Sequence, residues 1–133
     1  MTLKEYLAST RGTGILATAD AAGRVDAAIY SKPHIMADNT LAFIMRDHLT
    51  HRNIGENPYA TYLFIENAPH YRGIRLYLQK IREDSDRELI NQMSRRSLTP
   101  EEDRAKGPKF IVYFDLQKAL PLIGSGETGL DLV

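Results

Sequence analysis

Arg46, Asp47, His48, Thr50, His51 and Arg52 crowd into one polar turn. The turn follows an apolar run at residues 40–46, and Pro58 limits the length of any helix that starts there. The spacing therefore predicts strand, turn and a one-turn helix, with Thr50 as its N-cap through a hydroxyl that accepts a first-turn N–H. Uncapped N–H groups at such a corner, with basic side chains beside them, form a seat for a phosphate. Arg46, Thr50 and His51 are the candidate ligands. Cations at a helix N-terminus oppose the helix dipole, and a bound anion removes that conflict. The plainer reading is that these side chains are solvated turn residues.

Other chemistries find less support. His48 and His51 form an H-x-x-H pair, but a zinc site needs a third ligand and firm helical spacing, and none completes the set. A haem needs only one histidine, so His48 or His51 keeps that reading open. Ser125 lies in a Gly-Ser-Gly tail without the strand–turn–helix setting of a nucleophile elbow. Glu101, Glu102 and Asp103 read as the exposed first turn of a helix, and Arg95 and Arg96 as a solvated helix end. With no catalytic triad or carboxylate pair in view, catalysis here would rely on a cofactor.

Residues 2–10 carry Leu3, Tyr6 and Leu7 at helical spacing behind a Thr2 cap. Residues 11–14 read as a break. Residues 15–19 and 25–32 form a hairpin, in which Val25, Ala27 and Ile29 share one face and Asp26, Ala28 and Tyr30 the other. Pro33 ends that pair or sets it at an edge. Strands are predicted at 40–46, 59–66, 71–82 and 109–116. Ser85 and Glu88 have capping-box spacing for a helix over 86–96, and Thr99-Pro100 opens another helical turn. Leu89, Ile90 and Met93 give the longer helix a core stripe. Six strands joined by tight turns point to a mainly β protein, a small antiparallel barrel with helices. Residues 117–133 read as a glycine-containing tail, either loose or docked on a partner subunit.

The 133 residues suit a single domain spanning the whole chain, 43% hydrophobic and 26% charged. Seventeen basic residues balance seventeen acidic ones, so no net field recruits nucleic acid or an acidic membrane. The absence of cysteine removes disulfides, thiolate nucleophiles and thiolate metal sites. The first ten residues are too polar for a signal peptide, and no apolar run reaches the roughly 20 residues of a membrane span. A cytoplasmic location is expected.

Ile54, Asn57-Pro58, Ala60 and Phe64, following a strand and a short helix, resemble the pyridoxamine 5′-phosphate oxidase-like superfamily of FMN-binding split barrels. The order of elements agrees over roughly residues 3–118. The resemblance implies a six-stranded antiparallel split barrel and a homodimer with FMN at its interface. It places Ala28, Ile29, Tyr30 and Ser31 alongside the flavin ring, and Ile44, Met45 and Arg46 at its border. Leu49, Thr50 and His51 would form the phosphate turn, and Tyr71 or Arg75 would come from the second subunit. It also implies a flavin-dependent oxidoreductase acting on a small molecule, with a reduced nicotinamide as an electron source. A non-catalytic electron carrier, or a binder of haem or a deazaflavin, is the alternative. One departure matters: where the oxidases proper carry Ser-Arg-Lys for the phosphate, this chain has His48-Leu49-Thr50. Their C-terminal arginine segment is not recognisable either, so vitamin B6 oxidation is not expected.

Overall fold

The computed structural model describes residues 1–94 and 99–132. Helix α1 (Leu3–Ser9) leads into β1 (Gly12–Ala19), β2 (Val25–Ile29), β3 (His34–Ile35) and β4 (Leu41–Arg46). Helix α2 (Leu49–Glu56), β5 (Tyr59–Glu66) and β6 (Gly73–Asp84) follow. Helices α3 (Arg87–Met93) and α4 (Pro100–Ala105) then precede β7 (Lys109–Pro121). All strand pairs are antiparallel, in one sheet ordered β2-β1-β5-β6-β7-β4-β3.

That order forces curvature. β2 and β3 stand at opposite ends of the sheet, yet only residues 30–33 separate Ile29 from His34. Strands so far apart would lie about 29 Å from each other in a flat sheet. The intervening chain reaches about 18 Å at most. The sheet therefore rolls until its two edges face each other, and residues 30–33 bridge the gap. β2 and β3 do not pair, so the roll stays open along a seam.

The mainly β, antiparallel expectation holds, with two corrections. Among the described residues there are seven strands rather than six, and the sheet is not closed. The predicted strand over 25–32 stops at Ile29, because the chain leaves one edge there, and Pro33 precedes the added two-residue strand at the other edge.

The interior of the roll is one apolar cluster. Leu16, Tyr62, Phe64, Leu76 and Phe114 are completely inaccessible, and Leu3, Leu7 and Ile54 close it from the helices. Ile74, Leu76 and Leu78 face inward together, as their alternation predicts. A smaller cluster of Ala42, Ile90, Ile111 and Tyr113 lies on the other side of the sheet beneath α3, with Leu89 and Met93 packed against it. The helical stripe is thus core, while Arg95, Arg96 and the predicted end of that helix lie outside the described residues.

Several boundaries moved for identifiable reasons. Gly12 and Gly14 do not break the chain; they lie within β1. A Cβ on Gly14 would sit 1.9 Å from the Tyr62 hydroxyl, and one on Gly12 would sit 2.3 Å from the Ile65 carbonyl. They are glycines because large rings pack directly over the strand. The cap of α3 is Asp86, not Ser85, and accepts from the N–H groups of Glu88 and Leu89. The Thr2 and Thr99 caps form as predicted, each with its reciprocal glutamate. β7 runs on to Pro121, which takes up the first part of the predicted tail. The remainder returns to the amino end, where the Leu3 N–H donates to the Asp131 carbonyl at 2.9 Å.

Gly14→Ala should lower unfolding stability by about 1–3 kcal/mol, the usual cost of overpacking a tight core. Urea unfolding monitored by circular dichroism checks this, and an unchanged midpoint would show that Tyr62 yields freely.

Candidate functional site

A cavity of about 500 Å³ opens at the seam. Its walls come from the end of β2, residues 30–34, the end of β4, the start of α2 and the α3–α4 side. Seven of the ten residues expected at the site line it: Ala28, Ile29, Tyr30, Ser31, Ile44, Arg46 and Thr50. The roll of the sheet makes this possible, since β2 and β4 are distant in strand order and meet only across the seam.

The other three point elsewhere. Met45 is buried in the core because alternation along β4 turns it inward, opposite to Ile44 and Arg46. Leu49 is half exposed on the outside of α2. His51 faces away and is held between two carboxylates, with Nδ1 3.1 Å from Asp47 Oδ1 and Nε2 2.9 Å from Glu83 Oε1. Its ring also stacks on Phe110, with centroids 4.1 Å apart and planes 6° from parallel. Burial pushes Glu83 upward, but hydrogen bonds from Lys80 and His51 outweigh it and hold that carboxyl below its usual range.

The corner itself differs from the prediction in two ways. α2 has eight residues, two turns rather than one. Its N-cap is His48, which makes no side-chain capping bond, and Thr50 sits inside the helix. Thr50 is buried because α2 lays Thr50, Asn53 and Ile54 against the barrel. Asn53 Nδ2 donates to Thr18 Oγ1 at 3.1 Å, which satisfies both buried groups. Pro58 does end the helix, and the Asn57 side chain accepts from the Tyr59 N–H. The first-turn N–H groups thus lack a side-chain cap, with His48 exposed beside them.

Sequence reasoning missed Lys32, His34, Phe43, Met93, Ser94, Lys106 and Lys109, which also line the cavity with His48. His48 lies in the expected turn, where it is weighed as a metal or haem ligand rather than for the phosphate. The register of β4 against β7 brings in Lys109, directly opposite Arg46, and no local pattern announces that pairing. The cavity lining carries basic side chains and no carboxylate among the described residues. Lys32 is partly engaged, since its Nζ donates to the Leu7 and Thr10 carbonyls at 2.6 Å each. Burial raises the Tyr30 phenol, opposed by a hydrogen bond with Thr50 and reinforced by the charge of Asp26, so the ring stays neutral at pH 7.

Arg46 has a partner that the sequence reading did not assign. Its Nη2 lies 2.8 Å from Asp103 Oδ1, and Nη1 donates to the carbonyls of Gly107 at 2.9 Å and Asp103 at 3.2 Å. Lys109 Nζ reaches the same Asp103 oxygen at 2.6 Å. Of the two residues expected from a second subunit, Tyr71 is exposed. Arg75 is engaged within its own chain, donating to the carbonyls of Pro121 and Gly124. Among the described residues no group of three or more histidine and carboxylate side chains could hold a metal ion, and no helix is long and apolar enough to cross a membrane.

Comparison with solved structures matches this architecture to several proteins. An FMN-binding protein from Syntrophomonas wolfei subsp. wolfei superposes with a TM-score of 0.70 at 20% identity, covering 90% of this chain and 83% of its own. An F420 reductase gives a TM-score of 0.61 at 19% identity, over 90% of this chain and 97% of that one. The chain has the split-barrel fold of the pyridoxamine 5′-phosphate oxidase-like proteins. The haem storage protein HutZ from Vibrio cholerae shares that split barrel, with a TM-score of 0.60, 21% identity and 90% and 94% coverage. No protein-family model matches the chain, and neither does any curated protein sequence. Identities this low carry the split-barrel fold and nothing finer.

Lys109 first, then Arg46, holds the Asp103 carboxyl down, from 3.8 to about 2. A depressed carboxylate stabilises the fold above its unfolded pKa and loses that contribution as pH falls through the folded one. The tie between α4 and the sheet should therefore be complete above about pH 4 and lost as pH falls toward 2. Carboxyl NMR titration checks this: the Asp103 midpoint should lie near 2 and rise in Lys109→Met. An unmoved midpoint would mean that Lys109 does not reach it in solution.

Proposed function

We propose that the protein is a cytoplasmic, homodimeric FMN-binding oxidoreductase acting on a small molecule, with its flavin in the seam cavity. The observation that carries this reading is the cavity's wall chemistry. An uncapped helix start and the basic residues Arg46, His48, Lys106 and Lys109 sit at one side, while the β2 backbone and Tyr30 form the other. A phosphate suits the first, and a flat conjugated ring suits the second. The volume of about 500 Å³ falls within the ~300–1,000 Å³ typical of small-molecule sites. Bound flavin would supply hydride or single-electron transfer, with a reduced nicotinamide as a suitable donor. The chain's residues would bind and orient it: the cations hold the phosphate, and the extended backbone of residues 28–31 borders the ring.

The dimer is supported by what lies outside the roll. Val25 is 83% exposed, Ile29 72% and Tyr59 59%, on a sheet face that no helix covers among the described residues. Ile29 also lines the cavity, so a second copy seated on this face would close the open side of the site. The C-terminal tail gives this reading no support, because it folds onto its own chain.

A second reading is haem binding. His34 and His48 line the same cavity and would be the candidate iron ligands, and a haem storage protein shares the fold.

The absorption spectrum of purified protein incubated with FMN, and separately with haemin, tests both. Paired near-ultraviolet and blue bands retained through gel filtration support the flavin; a Soret band without retained flavin supports haem. In the flavin case Arg46→Gln should weaken FMN about tenfold, the loss of one charge-assisted hydrogen bond. His51→Gln should leave affinity nearly unchanged. Elution at the mass of a monomer, with FMN bound, would overturn the interfacial placement.

A further inference from the structure

Helix α4 carries no buried residue. It caps itself through Thr99 and Glu102, so its own turn is satisfied without the barrel. Among the described residues, its polar attachments to the sheet run through two side chains only. Arg46 takes the carboxylate and carbonyl of Asp103, and the carbonyl of Gly107 just beyond the helix. Lys109 takes the same Asp103 carboxylate. Both cations line the cavity, and so does Lys106 one residue past the helix.

The register explains why an anion belongs between them. Arg46 and Lys109 are directly opposed across β4 and β7. Like charges in that position destabilise a strand pair. The two side chains are only 17% and 13% exposed, which limits how far water can screen them. Asp103 is the anion that resolves the repulsion in this structure.

We propose that α4 is a strap held by exchangeable charge: Asp103 occupies, from within the chain, the seat between Arg46 and Lys109 that a phosphate-bearing ligand takes, and ligand binding releases the helix. The inference rests on the phosphate-site reading above and adds the competition and the motion. A ligand dianion satisfies both cations better than one shared carboxylate oxygen does. Once displaced, α4 has no buried residue to hold it, which puts it among the segments that open most easily.

The test compares FMN affinity by fluorescence titration in the wild-type protein and in Asp103→Asn, with circular dichroism to check folding. Competition predicts that the variant binds FMN roughly two- to fivefold more tightly, the upper part of the range for ion pairs near the surface. Equal or weaker binding by a folded variant overturns the proposal and makes Asp103 a positioning group for Arg46. Hydrogen exchange on the wild-type protein gives an independent arm that does not need the variant to fold. Amides of residues 102–107 should exchange faster with FMN bound, and unchanged or slower exchange overturns the release. If neither protein binds FMN, the flavin reading falls by itself. The same exchange measurement with inorganic pyrophosphate then decides the strap: faster exchange supports it and no change overturns it.

Discussion

Four residues between the two edges of a seven-stranded sheet constrain everything else in this molecule. Residues 30–33 cannot span a flat sheet, so the sheet rolls and its edges come to face one another. The roll creates an interior, filled by Tyr62, Phe64 and Phe114, and a seam where the edges stay unpaired. Unpaired edges and a short connector leave room, and the cavity occupies it. Site and core are two outcomes of one geometric requirement.

The seam also sorts the charges near it. The polar turn after β4 is rich in basic side chains, and the fold gives two of them internal partners. His51 goes to Asp47 and Glu83, and Arg46 goes to Asp103. His48 is left at the start of α2, and Lys106 at the cavity mouth. The basic character of the cavity thus combines Arg46 and Lys109, which share Asp103, with His48 and Lys106.

Much of this was legible in the residues. Alternation in β6 and β2, the Thr2 and Thr99 caps, and the Pro58 stop are local signals governed by local physics, and all hold. Ala28–Ser31, Ile44 and Arg46 were assigned to one site from a resemblance carried by the Asn57–Phe64 stretch, and they do meet. What could not be read was non-local. The opposition of Arg46 and Lys109 depends on a strand register across more than sixty residues of chain. Glycines 12 and 14 looked like punctuation because the rings that require them, Phe64 and Tyr62, lie some fifty residues away. Thr50 looked like a cap because its burial against the barrel has no local signature. The two-residue β3 is too short for any alternation to show.

Lys32 reaches from the seam to the carbonyls of Leu7 and Thr10, where α1 ends. That helix is in turn stitched to Asp131 near the opposite end of the chain. The bridge across the seam is therefore fastened to a helix whose own anchor lies more than 120 residues further along the chain. Contacts this distant in sequence form slowly, because loop closure must precede any reward from packing. The sheet can pair early from its nearest-neighbour hairpins, while the anchor of the seam bridge waits for segments more than 120 residues apart to meet.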